Sequence, residues 1–370
     1  MRVAVVSESF LPQVNGVTGS VLRVCEHLTA RGHEVVVVAP GPGPTSWAGA
    51  RVVRTPSVPL PGYADFRLAR PWSGLQRALA DFRPDVVHLA SPAVLGAQAA
   101  SRARALGLPV VAVYQTDLPG FAARYGLGGA EAAVWRWLRR VHALAGRTLA
   151  PSRAAVEALQ RHGVDRVSRW ARGVDLQRFA PERRDDALRR RLAPGGELLV
   201  GYVGRLAHEK QVGLLAGLQG APGTRVVVVG DGPQRRSLER QLPGVRFLGF
   251  QGGEELARTF ASLDVFVHTG AHETFCQAAQ EAKASGVPVV APAAGGLLDL
   301  VEPGRTGAWF APGDAADLRR QVLSLADPAV RLPMGRAARA SVEGRSWAVV
   351  GDQLLGHYGD VVAAHAGRAA

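Results

Sequence analysis

The glutamates Glu273 and Glu281 stand with seven residues between them, in a segment that should lead from a loop into a helix. Alanine is frequent from residue 275 to residue 284, which favours helix, and Gly286 and Pro288 would end it. Glu281 should then lie roughly 12 Å farther along the axis, at about 1.5 Å per residue. Carboxylates spaced in this way could accept hydrogen bonds from hydroxyl groups at the two ends of one ligand. The alternative is that Glu273 caps the helix and Glu281 is solvated.

The start of the same helix offers a place for an anion. The first N–H groups of a helix have no partner within the helix and coincide with the positive end of its dipole. A diphosphate can bind to such groups. Together with carboxylates that suit sugar and ribose hydroxyls, this pattern points to a sugar-nucleotide site.

A second charged segment, Gly204-Arg205-Leu206-Ala207-His208-Glu209-Lys210, follows a predicted buried strand. Arg205 and Lys210 could neutralise a diphosphate together, the arginine through its bidentate fork and the lysine as a point charge. Loops that follow the strands of a parallel sheet carry sites in this architecture, which favours a function over a merely solvated face.

The turn Gly230-Asp231-Gly232-Pro233 follows another predicted strand. Gly232 and its neighbours could allow a base or ribose to approach, with Asp231 beside it. The chemistry of a tight turn explains this segment equally well.

Two strand ends of the first half carry weaker signals. Gly16 and Gly19, in the segment 15–20, would let the backbone approach a ligand, although the pattern is neither a Walker loop nor a dinucleotide fingerprint. An ordinary strand-to-helix turn is the alternative. In the segment Tyr114-Gln115-Thr116-Asp117, Asp117 could orient a sugar or an acceptor hydroxyl. A turn-forming aspartate before Pro119 is the alternative.

Metal and nucleophile motifs are missing from the sequence. His268 and His272 stand four apart, but they straddle a predicted strand end and Gly270, and no glutamate follows the first histidine. The chain has no Asp-x-Asp and no Gly-x-Ser-x-Gly. We therefore expect cationic side chains and helix ends to take the place of a metal, and no cofactor.

The composition indicates a soluble α/β protein. Of the 370 residues 47% are hydrophobic, and no apolar run approaches the roughly 20 residues that span a bilayer. Met1 leads directly into a predicted strand, so we expect a cytoplasmic protein. Cys25 and Cys276 lie far apart and should be reduced thiols. A net charge of +13 favours acidic partners, but no nucleic-acid-binding motif accompanies it.

Predicted strands and helices alternate twice along the chain. This pattern predicts an α/β fold with two Rossmann-like doubly wound parallel-sheet domains that face a central cleft, where the strand ends carry the site. The domains should comprise residues 1–179 and 180–346, with a helix over 347–370 returning to the first. The predicted strands of the first domain cover 3–7, 34–39, 85–89, 109–114 and 147–150, and those of the second cover 198–203, 225–229, 246–249, 264–269 and 287–291. The first predicted helix covers 19–31.

These segments resemble the retaining glycosyltransferases of family 4, which have the GT-B fold of two Rossmann-like domains. The most specific element is the pair Glu273 and Glu281, supported by the segments 204–210 and 230–233. The match covers nearly the whole chain. The segments 15–17, 114–117, 124–126 and 273–277 are similar to GDP-mannose-dependent α-mannosyltransferases of bacterial glycolipid synthesis, and plant sulfoquinovosyl diacylglycerol synthases are similar but more distant.

The resemblance implies a role for each site residue. Arg205 and Lys210 would bind the diphosphate and stabilise the departing nucleotide. Glu273 would hold hydroxyls of the transferred sugar, with the backbone N–H groups of Phe275 and Cys276 nearby. Glu281 would hold the ribose, with Gly204, Asp231 and Gly232 in the nucleotide loops, while Gly16 would approach the phosphates from the other domain. A hexose, mannose above all, would pass with retention to a lipid or glycoside acceptor.

The chain departs from the family pattern at two positions. Many relatives carry histidine where Gln115 stands, so either Gln115 or Asp117 makes its contact with the donor sugar or that contact is lost. Many also have glycine at the position of Cys276, although backbone donation survives that change.

Several alternatives remain open at this stage. A UDP-sugar-dependent transferase of the same family, a sugar-nucleotide epimerase and a non-enzymatic binding protein for a nucleotide sugar or nucleic acid would use similar residues. The basic and apolar runs 66–72 and 135–140 could contact an anionic surface at the inner face of the cell membrane. In the other interpretation, one face of each run packs in the core and its arginines are solvated.

Overall fold

Valine-rich strands form two mostly parallel sheets. In the computed structural model the described residues are 1–60, 63–91, 93–120 and 131–369. The central strands of both sheets are buried along all or most of their length, as expected when helices cover both faces of a parallel sheet. The strands are β1 (Arg2–Val6), β2 (Glu34–Pro40), β3 (Ser46–Trp47), β4 (Ala50–Thr55), β5 (Ser57–Leu60), β6 (Tyr63–Ala69), β7 (Val86–Leu89), β8 (Val110–Val113), β9 (Arg147–Ala150), β10 (Val167–Arg169), β11 (Leu198–Val203), β12 (Thr224–Val229), β13 (Arg246–Gly249), β14 (Val265–Val267), β15 (Val289–Pro292) and β16 (Gly307–Phe310).

The first sheet has the order β10-β9-β8-β7-β1-β2-β4-β3 and the second the order β13-β12-β11-β14-β15-β16. Among the described residues, only β3 pairs antiparallel within these sheets, with β4 as its partner, and β5 with β6 forms a separate antiparallel hairpin. The α-helices are Gly16–Ala30, Gly74–Phe82, Val94–Ala105, Glu131–Ala143, Arg153–Arg161, Asp186–Leu192, Arg235–Gln241, Gly253–Ser262, Gln277–Ala284, Ala315–Leu323, Pro328–Ala340 and Trp347–Ala369. Short 3₁₀ helices cover Pro181–Arg183, His208–Lys210, Val212–Leu218 and Gly295–Asp299.

The chain divides into two compact units between Arg172 and Gly173, before the boundary predicted at residues 179 and 180. The intervening segment belongs to the second unit because its backbone is bonded there. Val174 pairs with Ser346 in a parallel bridge, and the Arg339 guanidinium donates to the Phe179 carbonyl at 2.9 Å. Such contacts between distant chain positions leave no trace in local sequence patterns.

The final helix, Trp347–Ala369, belongs to the first unit. Leu354 and Tyr358 are buried in the core of that unit, and the Trp170 indole donates to the Val350 carbonyl at 2.9 Å. The Tyr358 hydroxyl lies 2.5 Å from His88 Nδ1 on β7. Within the described part of the chain, no helix combines the length and the apolar character needed to cross a membrane.

Two helix starts differ from the prediction. The first helix begins at Gly16 rather than Gly19, because the Asn15 side chain accepts hydrogen bonds from the N–H groups of Val17 and Thr18, each at 3.0 Å. The helix predicted from residue 275 begins at Gln277 instead, with Cys276 as its N-cap residue.

Candidate active site

Three loops meet at one edge of the second sheet. They follow β11, β12 and β14, which are neighbours in the sheet order and parallel, so their carboxyl ends lie at the same edge. The Leu206 N–H donates to the Asp231 carbonyl at 2.9 Å, and the Thr269 hydroxyl donates to the Lys210 carbonyl at 2.6 Å. The sheet order therefore brings together segments that are far apart in the sequence.

Lys210, His268 and Glu273 form a cluster in these loops. The Lys210 ammonium donates to Glu273 Oε1, and His268 Nε2 lies 3.0 Å from the same oxygen. The His268 side chain is only 3% exposed, whereas those of Lys210 and Glu273 are 24% and 15% exposed. The lysine and the carboxylate are thus within reach of a ligand, and the histidine supports them from the protein interior.

The charges in this cluster stabilise one another. Burial alone would raise the pKa of Glu273, but the positive charges of Lys210 and His268 hold that pKa well below its usual range. Burial alone would lower the pKa of Lys210, but the negative charge of Glu273 outweighs the effect of burial, so the pKa is raised overall. Burial likewise opposes a charge on His268, yet Cys276 and Glu273 raise its pKa to about 9. These directions favour the charged forms of Lys210 and Glu273.

The Tyr202 ring fixes the orientation of His268. Tyr202 lies on β11, is fully buried and stacks on the imidazole with ring centroids 6.0 Å apart. Its hydroxyl donates to the Arg205 carbonyl at 3.2 Å, which ties down the loop after β11. The Arg205 side chain is exposed beside Gly204, at the edge of the sheet where the other loops meet.

Gly230 is required where the loops after β11 and β12 touch. Its φ of 135° lies outside the range that other residues readily adopt, and a Cβ atom there would lie 2.0 Å from the Gly204 carbonyl oxygen. Asp231 is engaged by its own turn, since it accepts from the Gly232 N–H at 2.7 Å and pairs with Arg235 at 3.1 Å. The turn chemistry that the sequence offered as an alternative therefore accounts for the side chain of Asp231.

The Glu273 carboxylate is engaged by Lys210 and His268. It turns back to these two side chains, and the N-cap residue of the helix Gln277–Ala284, Cys276, makes no side-chain capping bond. Phe275 and Cys276 precede this helix and are each 4% exposed. Glu281 lies within the helix and is half-buried, so the structure does not place it as a fully solvated side chain.

In the first unit, the buried Arg172 links two of the predicted residues. Its guanidinium donates to the Gly16 carbonyl at 2.8 Å and to Gln115 Oε1 at 2.6 Å. The Gln115 amide in turn donates to the Ala90 carbonyl at 2.9 Å. A Cβ atom on Gly16 would lie 3.0 Å from the Arg172 guanidinium, so glycine also makes room for it. Arg172 was not predicted from the sequence, although it lies just beyond β10, as Arg205 lies just beyond β11.

Asp117 takes part in a local turn. Its Oδ1 accepts from the Gly120 N–H at 3.0 Å and from the Tyr114 hydroxyl at 3.3 Å. This is the turn-forming arrangement that the sequence left open. The segment 124–126, which supported the resemblance, lies outside the described residues.

The side chains of His268, Glu273 and Cys276 bring their donor atoms within 4.8 Å of one another. His272, which the sequence spacing pairs with His268, is exposed and lies outside this group. The donor atoms that lie close together therefore do not come from the pair His268 and His272.

Family models and individual relatives identify the same kind of protein. Residues 14–178 match the model of glycosyltransferase family 4, and residues 184–341 match that of glycosyl transferases group 1. A GDP-mannose-dependent alpha-mannosyltransferase of Mycobacterium tuberculosis is 52% identical, over 97% of this chain and 96% of its own length. One with the same name from Mycolicibacterium smegmatis is 51% identical over 100% of both chains.

A solved structure of Anabaena HepE with UDP and glucose shares the fold. Its TM-score is 0.78 at 20% identity, with 96% of this chain and 98% of that chain covered. Together the two α/β units, the matched family models and the relatives above half identity establish both the family and the predicted GT-B fold. The chain belongs to glycosyltransferase family 4.

Proposed function

We propose that this protein is a retaining α-mannosyltransferase that transfers mannose from GDP-mannose to a lipid or glycoside acceptor. The observation that carries the proposal is the cluster of Lys210, His268 and Glu273 at the edge of the second sheet. Support for the donor comes from the mycobacterial relatives, which are named GDP-mannose-dependent alpha-mannosyltransferases and match nearly the whole chain.

The second unit supplies most of the proposed chemistry. Glu273, held as a carboxylate, accepts hydrogen bonds from mannose hydroxyls, with the backbone N–H groups of Phe275 and Cys276 nearby. Lys210 and Arg205 stabilise the negative charge that develops on the diphosphate. Glu281 holds the ribose, and the loops at Gly204 and Gly232 let the nucleotide approach the backbone.

The transfer step exchanges one bond at the anomeric carbon. The bond from C1 to the phosphate oxygen breaks, while the acceptor oxygen forms its bond to C1 on the same face. The leaving diphosphate takes the acceptor proton, so no separate protein base is required. Fixed cations at the leaving group are then the main source of catalysis.

For the first unit we propose donor contacts for Gly16 and Gln115. Gln115 is the better replacement for the histidine of many relatives, because Arg172 and the Ala90 carbonyl hold its amide in one orientation. The Asp117 carboxylate closes its own turn, so we assign it a supporting role rather than contact with the sugar.

We also propose that turnover needs no metal, because Lys210 and Arg205 neutralise the diphosphate. Nucleotide release should be measured with GDP-mannose and UDP-glucose in the presence of EDTA, across a panel of lipid and glycoside acceptors, with the product anomer assigned by NMR. We expect turnover with GDP-mannose and an α product. The absence of turnover with every donor would reject the proposal, and a preference for UDP-glucose would change the donor.

Two variants test the role of the carboxylate. Glu273→Gln keeps the shape but removes the charge, so we expect kcat/KM to fall about 100-fold or more, in line with the loss of one preorganised polar contact to a transition state. Glu302→Gln is the matched control, because Glu302 is exposed and pairs only with its near neighbour Arg305 among the ion pairs seen. Equal activity of the two variants would contradict the assignment.

Peripheral membrane contact is a separate proposal. In the helix Glu131–Ala143, Trp135 and Leu138 are buried while Arg136, Arg139 and Arg140 are exposed. The tryptophan ring also stacks on His162 with centroids 3.7 Å apart. The helix thus offers a basic surface rather than an apolar one, and we propose that it adsorbs to anionic lipids on the cytoplasmic face. Vesicle flotation at low and high salt tests this: binding that persists unchanged at high salt, or none at low salt, would reject it.

A further inference from the structure

Two residues of the cluster, His268 and Glu273, form with Cys276 a group that offers three kinds of metal-ligand atom. His268 offers an imidazole nitrogen, Glu273 a carboxylate oxygen and Cys276 a sulfur, and these atoms all lie within 4.8 Å of one another. Nitrogen, oxygen and sulfur donors from three protein side chains, with a fourth position left open, are the ligand set typical of zinc. The softer thiolate disfavours magnesium and calcium, which prefer oxygen ligands.

The spacing of these atoms is close to that of a tetrahedral site. With bond lengths of about 2.0–2.3 Å, ligand atoms around zinc lie roughly 3.3–3.8 Å apart. His268 Nε2 and Glu273 Oε1 are 3.0 Å apart, slightly closer than this, and the remaining separations do not exceed 4.8 Å. A bound ion would therefore draw the more distant of these atoms closer together.

The backbone holds the three residues in place. The His268 N–H donates to the Val290 carbonyl at 2.9 Å, which fixes the end of β14 against β15. The Glu273 carbonyl accepts from the Gly296 N–H at 2.7 Å, and Cys276 is the N-cap residue of the helix that follows. Ligands on such anchored positions lose little conformational freedom when an ion binds.

Lys210 is the group that a metal ion would have to displace. Its ammonium donates to the same carboxylate, but its side chain is 24% exposed and flexible, so the charge can move into solvent. A bound ion would then occupy Glu273 and draw Lys210 away from it. These are the two side chains that the proposed mechanism assigns to the sugar and the diphosphate.

We propose that His268, Glu273 and Cys276 form an inhibitory zinc site that excludes the donor. The proposal that zinc binds is argued from the three ligand side chains alone, whereas the proposal that zinc inhibits turnover rests on the proposed function. Zinc is then an antagonist of the enzyme and not a cofactor, so chelators should preserve activity or restore it.

Metal binding can be measured without turnover. The full chain is titrated with Co²⁺, whose thiolate complex absorbs in the near ultraviolet, and Zn²⁺ is then added to displace it. We expect one cobalt per chain with a thiolate band in the wild type and in Cys25→Ala, the control for the other cysteine, which is buried in the first unit. The band should vanish in Cys276→Ala and Cys276→Ser, and zinc affinity should fall at least about tenfold in His268→Asn.

The outcomes separate the metal site from the enzyme activity. A cobalt band unaffected by the Cys276 variants, or lost in Cys25→Ala, overturns the assignment, as does an absence of any thiolate band in the wild type. If GDP-mannose is turned over, zinc should raise the KM for the donor in the wild type and have at least tenfold less effect in Cys276→Ser. If no donor is turned over, the proposed function fails while the cobalt titration still decides the site.

Discussion

Replacing Arg172 with methionine is expected to destabilise the first unit and to weaken donor binding. The substitution keeps an unbranched side chain but leaves the Gly16 carbonyl and Gln115 Oε1 without the guanidinium that now donates to both. Gln115 cannot compensate by turning its amide over, because its nitrogen donates to the Ala90 carbonyl.

The magnitude follows from those contacts. Gln115 Oε1 is a buried acceptor, and the loss of its partner costs about 1–3 kcal/mol, whereas the bond to the Gly16 carbonyl is only part-buried and adds less. Removing Arg172, which is only 7% exposed, offsets part of this, since its charge is costly to bury. We therefore expect the free energy of unfolding to fall by about 1–3 kcal/mol. In Arg172→Lys the ammonium can reach one of the two acceptors, so the free energy of unfolding should fall by about half as much.

The assay combines stability with kinetics. Urea unfolding gives the free energy, and hydrogen exchange at the amides of β8 and of the helix Gly16–Ala30 should locate the loss in the first unit. The donor KM should rise more than kcat falls, because Gln115 is mispositioned. Arg136→Met is the matched control on an exposed surface, with an expected change within about 0.5 kcal/mol. If Arg172→Met matched that control in stability and donor KM, the positioning role of Arg172 would be refuted.

Three further changes test the fold. Gly230→Ala places a Cβ atom 2.0 Å from a backbone oxygen at a positive φ, so the free energy of unfolding, measured by thermal unfolding, should fall by about 2–4 kcal/mol. Gly244→Ala is the control, because a Cβ atom there meets nothing within 4 Å, and its stability should change little. Tyr358→Phe removes the buried partner of His88, whose pKa burial lowers to about 3, and should cost about 1–3 kcal/mol in urea unfolding. Burial raises the pKa of Glu8 to about 7 despite two backbone hydrogen bonds, so the folded state favours the protonated carboxyl. The stabilisation that follows from this preference is full below about pH 4.5 and is lost as the pH rises through 7. Glu8→Gln should abolish that part of the pH dependence, and an unchanged profile would contradict it.

The sequence predicted the central strands of both sheets but missed several others. The strands that supply site loops, β11, β12 and β14, all fall within or beside predicted runs. The start of the first helix was misplaced because it depends on the Asn15 side chain, which accepts from the first N–H groups, and not on hydrophobic periodicity. The strands β3, β4, β10 and β16 and the hairpin of β5 and β6 were not predicted.

For the candidate site, the sequence identified the charged residues but not their pairing. Lys210 and Glu273 were expected to act on different parts of a ligand, whereas the structure joins them in one ion pair with His268 between them and the interior. For Asp117 the structure favours the turn that the sequence kept as an alternative. Arg172 was missed because its two acceptors, Gly16 and Gln115, lie in other segments of the chain.

The sequence by itself determined the parallel α/β architecture, the strand ends at which polar side chains gather, and the residue types that suit a sugar diphosphate. These properties follow from local hydrophobic patterns and turn chemistry, which act over a few residues. Only the tertiary structure decided that Lys210 and His268 contact the same oxygen of Glu273, and that the donor atoms of His268, Glu273 and Cys276 lie within 4.8 Å of one another. Such contacts join residues as far apart as Lys210 and Glu273, so they depend on the order of the strands in the sheet and on the paths of the loops beyond them.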